Sequence, residues 1–185
     1  MFYLSKVKKF RYVALFLLSV VILVLIVAAF VPSEFSVIRE VKIDRPKSEV
    51  FEYTKLLKNQ ENFSTWAKID LNMKHEFSGV DGTVGFVSAW NSTNSDVGKG
   101  EQEITAIEKG KRIDYELRFI EPFESTSPAY MVFTELDSNR TSVQWGFEGE
   151  TPYPMNLMLL FVNVEDELGK ELQAGLNNLK AIFEK

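Results

Sequence analysis

The residues best suited to acid–base chemistry are His75, Glu101 and Glu103. His75 is the sole histidine of the 185-residue chain. A histidine in a cleft serves as a general base. Lys74 and Glu76 flank it on a short predicted strand, and this also suits a solvent-facing histidine on an edge strand. No second histidine or serine motif completes a catalytic triad. Glu101 and Glu103 stand two apart, so one strand face carries both. Paired carboxylates divide acid and base work when their surroundings separate their pKa values. Without burial the same pair is a solvated strand face. Cysteine is absent, which excludes disulfides, thiolate catalysis and cysteine-based metal sites. No His/Asp/Glu group has metal-ligand spacing, so neither a metal nor a cofactor is expected. Gly79, Gly82, Gly85, Gly98 and Gly100 form no phosphate cradle and read as turns and bulges.

The aromatic residues carry a different chemistry. Phe86, Trp90, Tyr115, Phe119, Phe133, Trp145 and Phe147 all fall on predicted strands. Such a set lines either a solid core or an apolar cavity with a few orienting polar tips, here Tyr115 and Trp145. Leu168 and Leu172, on an apolar stripe near the C-terminus, complete the candidate ligand-binding set.

Periodicity defines the elements that position these residues. Val37, Val41 and Ile43 share one parity, predicting a first strand over 35–43. Pro46 then starts a helix over 47–57, with Glu49 in its first turn. A second short helix is expected over 59–66. From Leu71 to Glu150 the pattern is strands separated by turns: 71–77, 83–90, 98–108, 112–119, 129–136 and 141–150. In 112–119, Ile113, Tyr115, Leu117 and Phe119 alternate with Asp114, Glu116 and Arg118, as in an antiparallel sheet with one wet face. After Pro154 the period becomes helical. The stripe from Leu157 to Phe183 predicts a helix of up to about 28 residues with a break near Asn163. Met155–Val162 is nearly all apolar and suits a cavity lid, a bilayer contact or ordinary helix packing.

Val13–Val31 is an uninterrupted apolar run in which Ser19 is the one polar residue. As a helix it spans roughly 28 Å, close to the hydrocarbon thickness of a bilayer. Lys6, Lys8, Lys9 and Arg11 precede it, and basic flanks stay cytoplasmic. The expected organisation is a cytoplasmic tail over 1–12, a transmembrane helix over 13–31 and an extracytoplasmic domain over 35–185. Val27-Ala28-Ala29 also suits signal-peptide cleavage, although the run exceeds the usual apolar region of about 7–15 residues. The chain has 21 basic residues, and removing those four leaves 17 against 26 acidic, a formal charge of −9. That balance gives no electrostatic footprint for nucleic acid.

A strand, two short helices, six antiparallel strands and a long helix is the order of the α+β helix-grip fold. The opening Val41-Lys42-Ile43-Asp44-Arg45-Pro46, with Val50-Phe51, Phe63 and Trp66, resembles the START-like (SRPBCC) superfamily. Its polyketide cyclase/dehydrase and lipid-transport branch is the nearest likeness. Gly82, Gly85 and Trp90 fit its third strand, Gly98, Gly100 and Glu101 its fourth, and Gly175-Leu176 with Leu179-Lys180 its last helix. The resemblance covers roughly 35–185; the anchor is not part of it. It implies a curved sheet of about seven strands gripping the C-terminal helix, with an apolar cavity between them. It also implies binding of a lipid or other hydrophobic small molecule. A cyclase, dehydratase or hydrolase acting in the same cavity is one alternative, and a partner-binding module of an envelope complex is another.

Overall fold

Alternation of apolar and polar residues builds seven strands in the computed structural model, which describes residues 2–184, with side chains from Lys9 onward. The side chains of Lys6 and Lys8 and the last residue of the expected domain lie outside the described residues. The strands are β1 (Glu34–Ile43), β2 (Lys74–Ser78), β3 (Val87–Asn91), β4 (Lys99–Glu108), β5 (Arg112–Glu121), β6 (Ser125–Asp137) and β7 (Arg140–Glu150). They form one curved antiparallel sheet in the order β1-β7-β6-β5-β4-β3-β2. The helices are α1 (Phe2–Ala28), α2 (Lys47–Lys55), α3 (Gln60–Phe63), α4 (Trp66–Ile69) and α5 (Val164–Phe183). This is the helix-grip architecture. The described chain divides into two compact units, Phe35–Gly149 with Val164–Lys185, and Met1–Glu34 with Glu150–Asn163.

In the larger unit, α5 packs its apolar stripe on the sheet. Leu172, Leu176 and Leu179 are buried together with Ile104, Ile113, Met131 and Val143 of four adjacent strands. Phe51 of α2 closes one end, its ring edge-on to Phe133 at 5.2 Å. Gly175 of α5 lies directly against the Trp145 side chain of β7. A Cβ there would stand 2.8 Å from Cζ3 of Trp145, so the glycine is required by that approach.

Several boundaries differ from expectation, each for a local reason. The helix expected over 47–57 ends at Lys55 and continues as a 3-10 turn, Leu57–Asn59. The carboxylate of Asp81 accepts the Leu57 N–H at 2.7 Å and fixes that turn. The helix expected over 59–66 is two separate turns, α3 and α4, because Ser64 is extended (ψ 133°). The first residues of the strand expected from Leu71 are a turn. Asp70 accepts the Asn72 N–H at 2.9 Å and the Ser92 hydroxyl at 2.5 Å. The strand expected from Thr83 begins at Val87, after Gly82 and Gly85 take positive φ. The C-terminal helix is 20 residues long and starts at Val164. Glu165, Asp166 and Glu167 occupy its first turn, where the helix dipole favours negative charge. The apolar stretch before it is a 3-10 helix, Met155–Leu160.

The smaller unit is built around α1. Lys9–Ala28 is long and apolar enough to cross a membrane. Its last turn holds residues 150–163 by hydrogen bonds. Asn156 Nδ2 donates to the carbonyls of Ala28 (2.8 Å) and Val31 (2.7 Å). The Tyr153 hydroxyl donates to the Leu25 carbonyl at 3.3 Å.

Glu40 on β1 accepts hydrogen bonds from Ser142 (2.7 Å) and Gln144 (3.1 Å) of β7. These two donors, Ser142 first, hold its carboxyl below the usual glutamate range. A lowered folded pKa contributes stability that is present above the unfolded value and lost as pH falls through the folded one. Ser142→Ala is therefore expected to cost a little stability at neutral pH and nothing in strong acid. Denaturant midpoints compared at pH 7 and pH 2–3 check this, and a loss equal at both ends would refute it.

Candidate functional site

The inward-facing residues of each strand pass from a solid core at one end to a hollow at the other. On β5, Ile113 and Tyr115 are core, whereas Leu117 and Phe119 face a cavity. On β4 the change falls between Ile104 and Gln102, on β6 between Met131 and Ala129, and on β7 between Val143 and Trp145. On α5, Leu168 and Leu172 face the hollow, and Leu176 and Leu179 fill the core. The hollow therefore lies under the N-terminal half of α5. It has a volume of about 260 Å³ and is partly open to solvent. Leu57, Trp66, Ala67 and Met73 close its remaining side.

Six of the nine expected ligand-binding residues line this cavity: Trp90, Phe119, Trp145, Phe147, Leu168 and Leu172. Trp90 is held by its indole N–H on the Val97 carbonyl (3.3 Å) and by Phe119, edge-on at 5.9 Å. Its ring covers Gly100, where a Cβ would meet Cζ2 at 2.5 Å. The other three, Phe86, Tyr115 and Phe133, belong to the solid core. Tyr115 and Phe133 match the cavity residues of their strands in parity but lie under the filled end, and Phe86 precedes the start of β3. Burial pushes the Tyr115 phenol well above its ordinary pKa.

The acid–base candidates separate. Glu101 and Glu103 have the parity opposite to Gln102, so they lie on the face away from the cavity. There Arg118 clamps them, at 2.6 Å through Nε and 2.8 Å through Nη2, and its Nη1 reaches Glu116 at 2.5 Å. The guanidinium pKa is raised by these partners, Glu101 first. These carboxylates knit β4 to β5 and do not face the cavity. Arg118→Met leaves three neighbouring carboxylates without a counterion. It is expected to cost about 1–2 kcal/mol at pH 7, allowing for partial exposure. Urea unfolding should show the loss shrinking at low pH, and an unchanged midpoint at pH 7 would refute the clamp.

His75 does line the cavity, from the edge strand β2. It stacks on Phe77 with centroids 6.1 Å apart. Its Nδ1 is buried with no hydrogen-bond partner, and Glu61 Oε1 of α3 stands 3.4 Å away. Gln102, 8% exposed, donates from Nε2 to Gln60 Oε1 at 3.2 Å. Gln60, Glu61, Ser64, His75, Ser88, Asp96 and Gln102 give the wall its polar groups. Sequence reasoning missed the α3 contribution. The usable signal was Phe63 and Trp66, which put 60–67 beside the sheet. Among the described residues no His/Asp/Glu group could hold a metal ion.

Neither a protein-family model nor a curated protein matches this chain by sequence. Solved structures do match by fold. A Mesorhizobium loti protein aligns over 81% of this chain and 97% of its own, with a TM-score of 0.58 and 14% identity. What it shares with this chain is the fold. Ara h 8.0201 aligns over 82% and 98%, with a TM-score of 0.54 and 14% identity. DynU16, from the dynemicin biosynthetic locus, aligns over 81% of this chain and 47% of its own length, with a TM-score of 0.55 and 13% identity.

Proposed function

We propose that this protein is a START-like domain, residues 35–185, that binds a hydrophobic small molecule or lipid while tethered to a membrane by α1. The observation that carries the reading is the cavity, whose wall is mostly aromatic and aliphatic with a polar cluster at Gln60, Gln102 and His75. Such a wall selects an apolar body bearing one polar end. Moving the apolar body out of water contributes about 25 cal/mol per Å², before ordering costs. Gln102 Nε2 and Gln60 Oε1 are bonded to each other, so a ligand group that takes the Gln60 oxygen must replace that bond, whereas Gln102 Oε1 and Gln60 Nε2 are not part of it.

The proposed topology puts residues 1–12 in the cytoplasm, spans the bilayer with the 13–31 run, and places the domain outside. The basic residues before the run support this orientation. A tethered domain works on one membrane face, on lipid or on molecules dissolved in lipid.

The test is native mass spectrometry of the full chain extracted in mild detergent, followed by titration with 1-anilinonaphthalene-8-sulfonate. The expected result is one lipophilic molecule per chain, or saturable dye binding with one site. A chain that carries no ligand and binds no dye would refute the reading.

The His75–Glu61 pair favours a second reading, proton transfer on a ligand held in the same cavity. Under it, His75→Gln retains the ligand and removes its conversion. If the ligand leaves chemically unchanged from both proteins, the binding reading stands alone.

A further inference from the structure

The Thr151–Asn163 segment has no charged residue, in a chain whose exported part is strongly acidic. It is apolar where it meets solvent. Phe161 is 87% exposed and Leu160 57%, and Met155, Met158 and Val162 are exposed as well. Phe30, just past the end of α1, is 84% exposed. Ordinary helix packing would have covered these side chains.

The same unit fixes the depth of this segment. Tyr153 and Asn156 hydrogen-bond to carbonyls from Leu25 to Val31, so the segment lies level with the last turn of α1. Asn156 is itself buried, and its amide donates to the Ala28 carbonyl, which also takes the Val31 N–H at 3.3 Å, and to the Val31 carbonyl just past the helix. Where water is scarce, such carbonyls need protein donors. The backbone of the segment is also closed on itself. The N–H groups of Asn156 and Leu157 bond to the carbonyls of Pro152 and Pro154, and those of Phe161 and Val162 bond to Met158. Charge begins on both strands of this unit at one level. The Thr151 N–H donates to the Ser33 carbonyl at 2.8 Å, and Glu34 and Glu150 are the adjacent residues.

We infer that residues 153–162 are a second membrane element, an uncharged foot that lies in the outer headgroup and acyl boundary beside the end of α1. The occupant of this apolar face is the lipid bilayer, because the face is continuous with the proposed span and hydrogen-bonded to it. The inference rests on the transmembrane reading of α1. It goes beyond that reading by making the attachment two-legged. Glu34 and Glu150 then mark the water side of the boundary.

The absence of cysteine makes site-directed spin labelling direct. Phe161→Cys, Met158→Cys, Leu17→Cys and Leu71→Cys are each labelled in the full chain, reconstituted in phosphatidylcholine vesicles. Accessibility to oxygen and to a water-soluble nickel chelate gives the depth of each label. The expected result is position 17 near the bilayer centre, position 71 in water, and positions 158 and 161 about 5–10 Å below the headgroups. Position 17 in lipid with 158 and 161 open to nickel overturns the foot and leaves the anchor. Spin–spin broadening at 161 in that case identifies a second copy as the occupant. Position 17 open to nickel overturns the transmembrane reading, and the foot with it.

Discussion

Trp145→Ala is expected to lower the stability of the domain by about 3–5 kcal/mol, the usual range for truncating a buried aromatic. Trp145 is 4% exposed and is where three layers meet. Its ring stands edge-on to Phe63 of α3 at 5.7 Å and to Trp66 of α4 at 6.4 Å. It also fills the space above Gly175 of α5. Removing the indole therefore frees the short helices and α5 together. Stabilities of ordinary domains are about 5–15 kcal/mol, so this is a large fraction of the total. The midpoint of thermal unfolding should fall on the order of 10 °C. Trp90→Ala serves as the comparison. Trp90 lines the cavity on the next-to-edge strand and is only partly buried, so its loss should cost clearly less. Near-UV circular dichroism of the two variants on heating checks both. Equal losses would show that Trp145 does no more than line the cavity, as Trp90 does.

The succession of strands along the chain, the inward faces of β1 and β5 and the apolar run were legible because each is a local pattern. β5 alternates from Arg112 to Phe119, and α5 carries its stripe to Phe183. The break near Asn163 was legible too, and α5 starts just after it at Val164. Ser125–Pro128 was not, because a proline argues against a strand. Here Pro128 pairs with Glu116 of β5, whereas the β6–β7 register begins only at Ala129. Pro128 therefore sits where β6 is locally an edge, and its missing N–H leaves no ladder bond unmade. The division of one strand face into core and cavity was not legible either. Tyr115 and Leu117 have the same parity, and only their position under α5 decides which one is packed around. The depth of His75 came likewise from α3 folding over the β2 edge, a contact between residues far apart in sequence.

Ala129→Phe is expected to abolish ligand retention while leaving the domain folded. Ala129 is 3% exposed, lines the cavity, and lies across from Tyr115 and Phe147 in the sheet register. A phenyl ring at this position enters the hollow. Binding pockets for small molecules are commonly about 300–1,000 Å³, and this one is about 260 Å³, so little usable space would remain. The cost in stability should be small, because the ring fills space and does not displace packed atoms. Val143→Phe provides the contrast at the solid end of the neighbouring strand, where no side-chain atom reaches solvent. Overpacking there costs about 1–3 kcal/mol, occasionally more, and should leave the cavity and its ligand in place. The two variants therefore move stability and binding in opposite patterns. If Ala129→Phe unfolds as readily as Val143→Phe and still carries its ligand, the hollow is not the binding site.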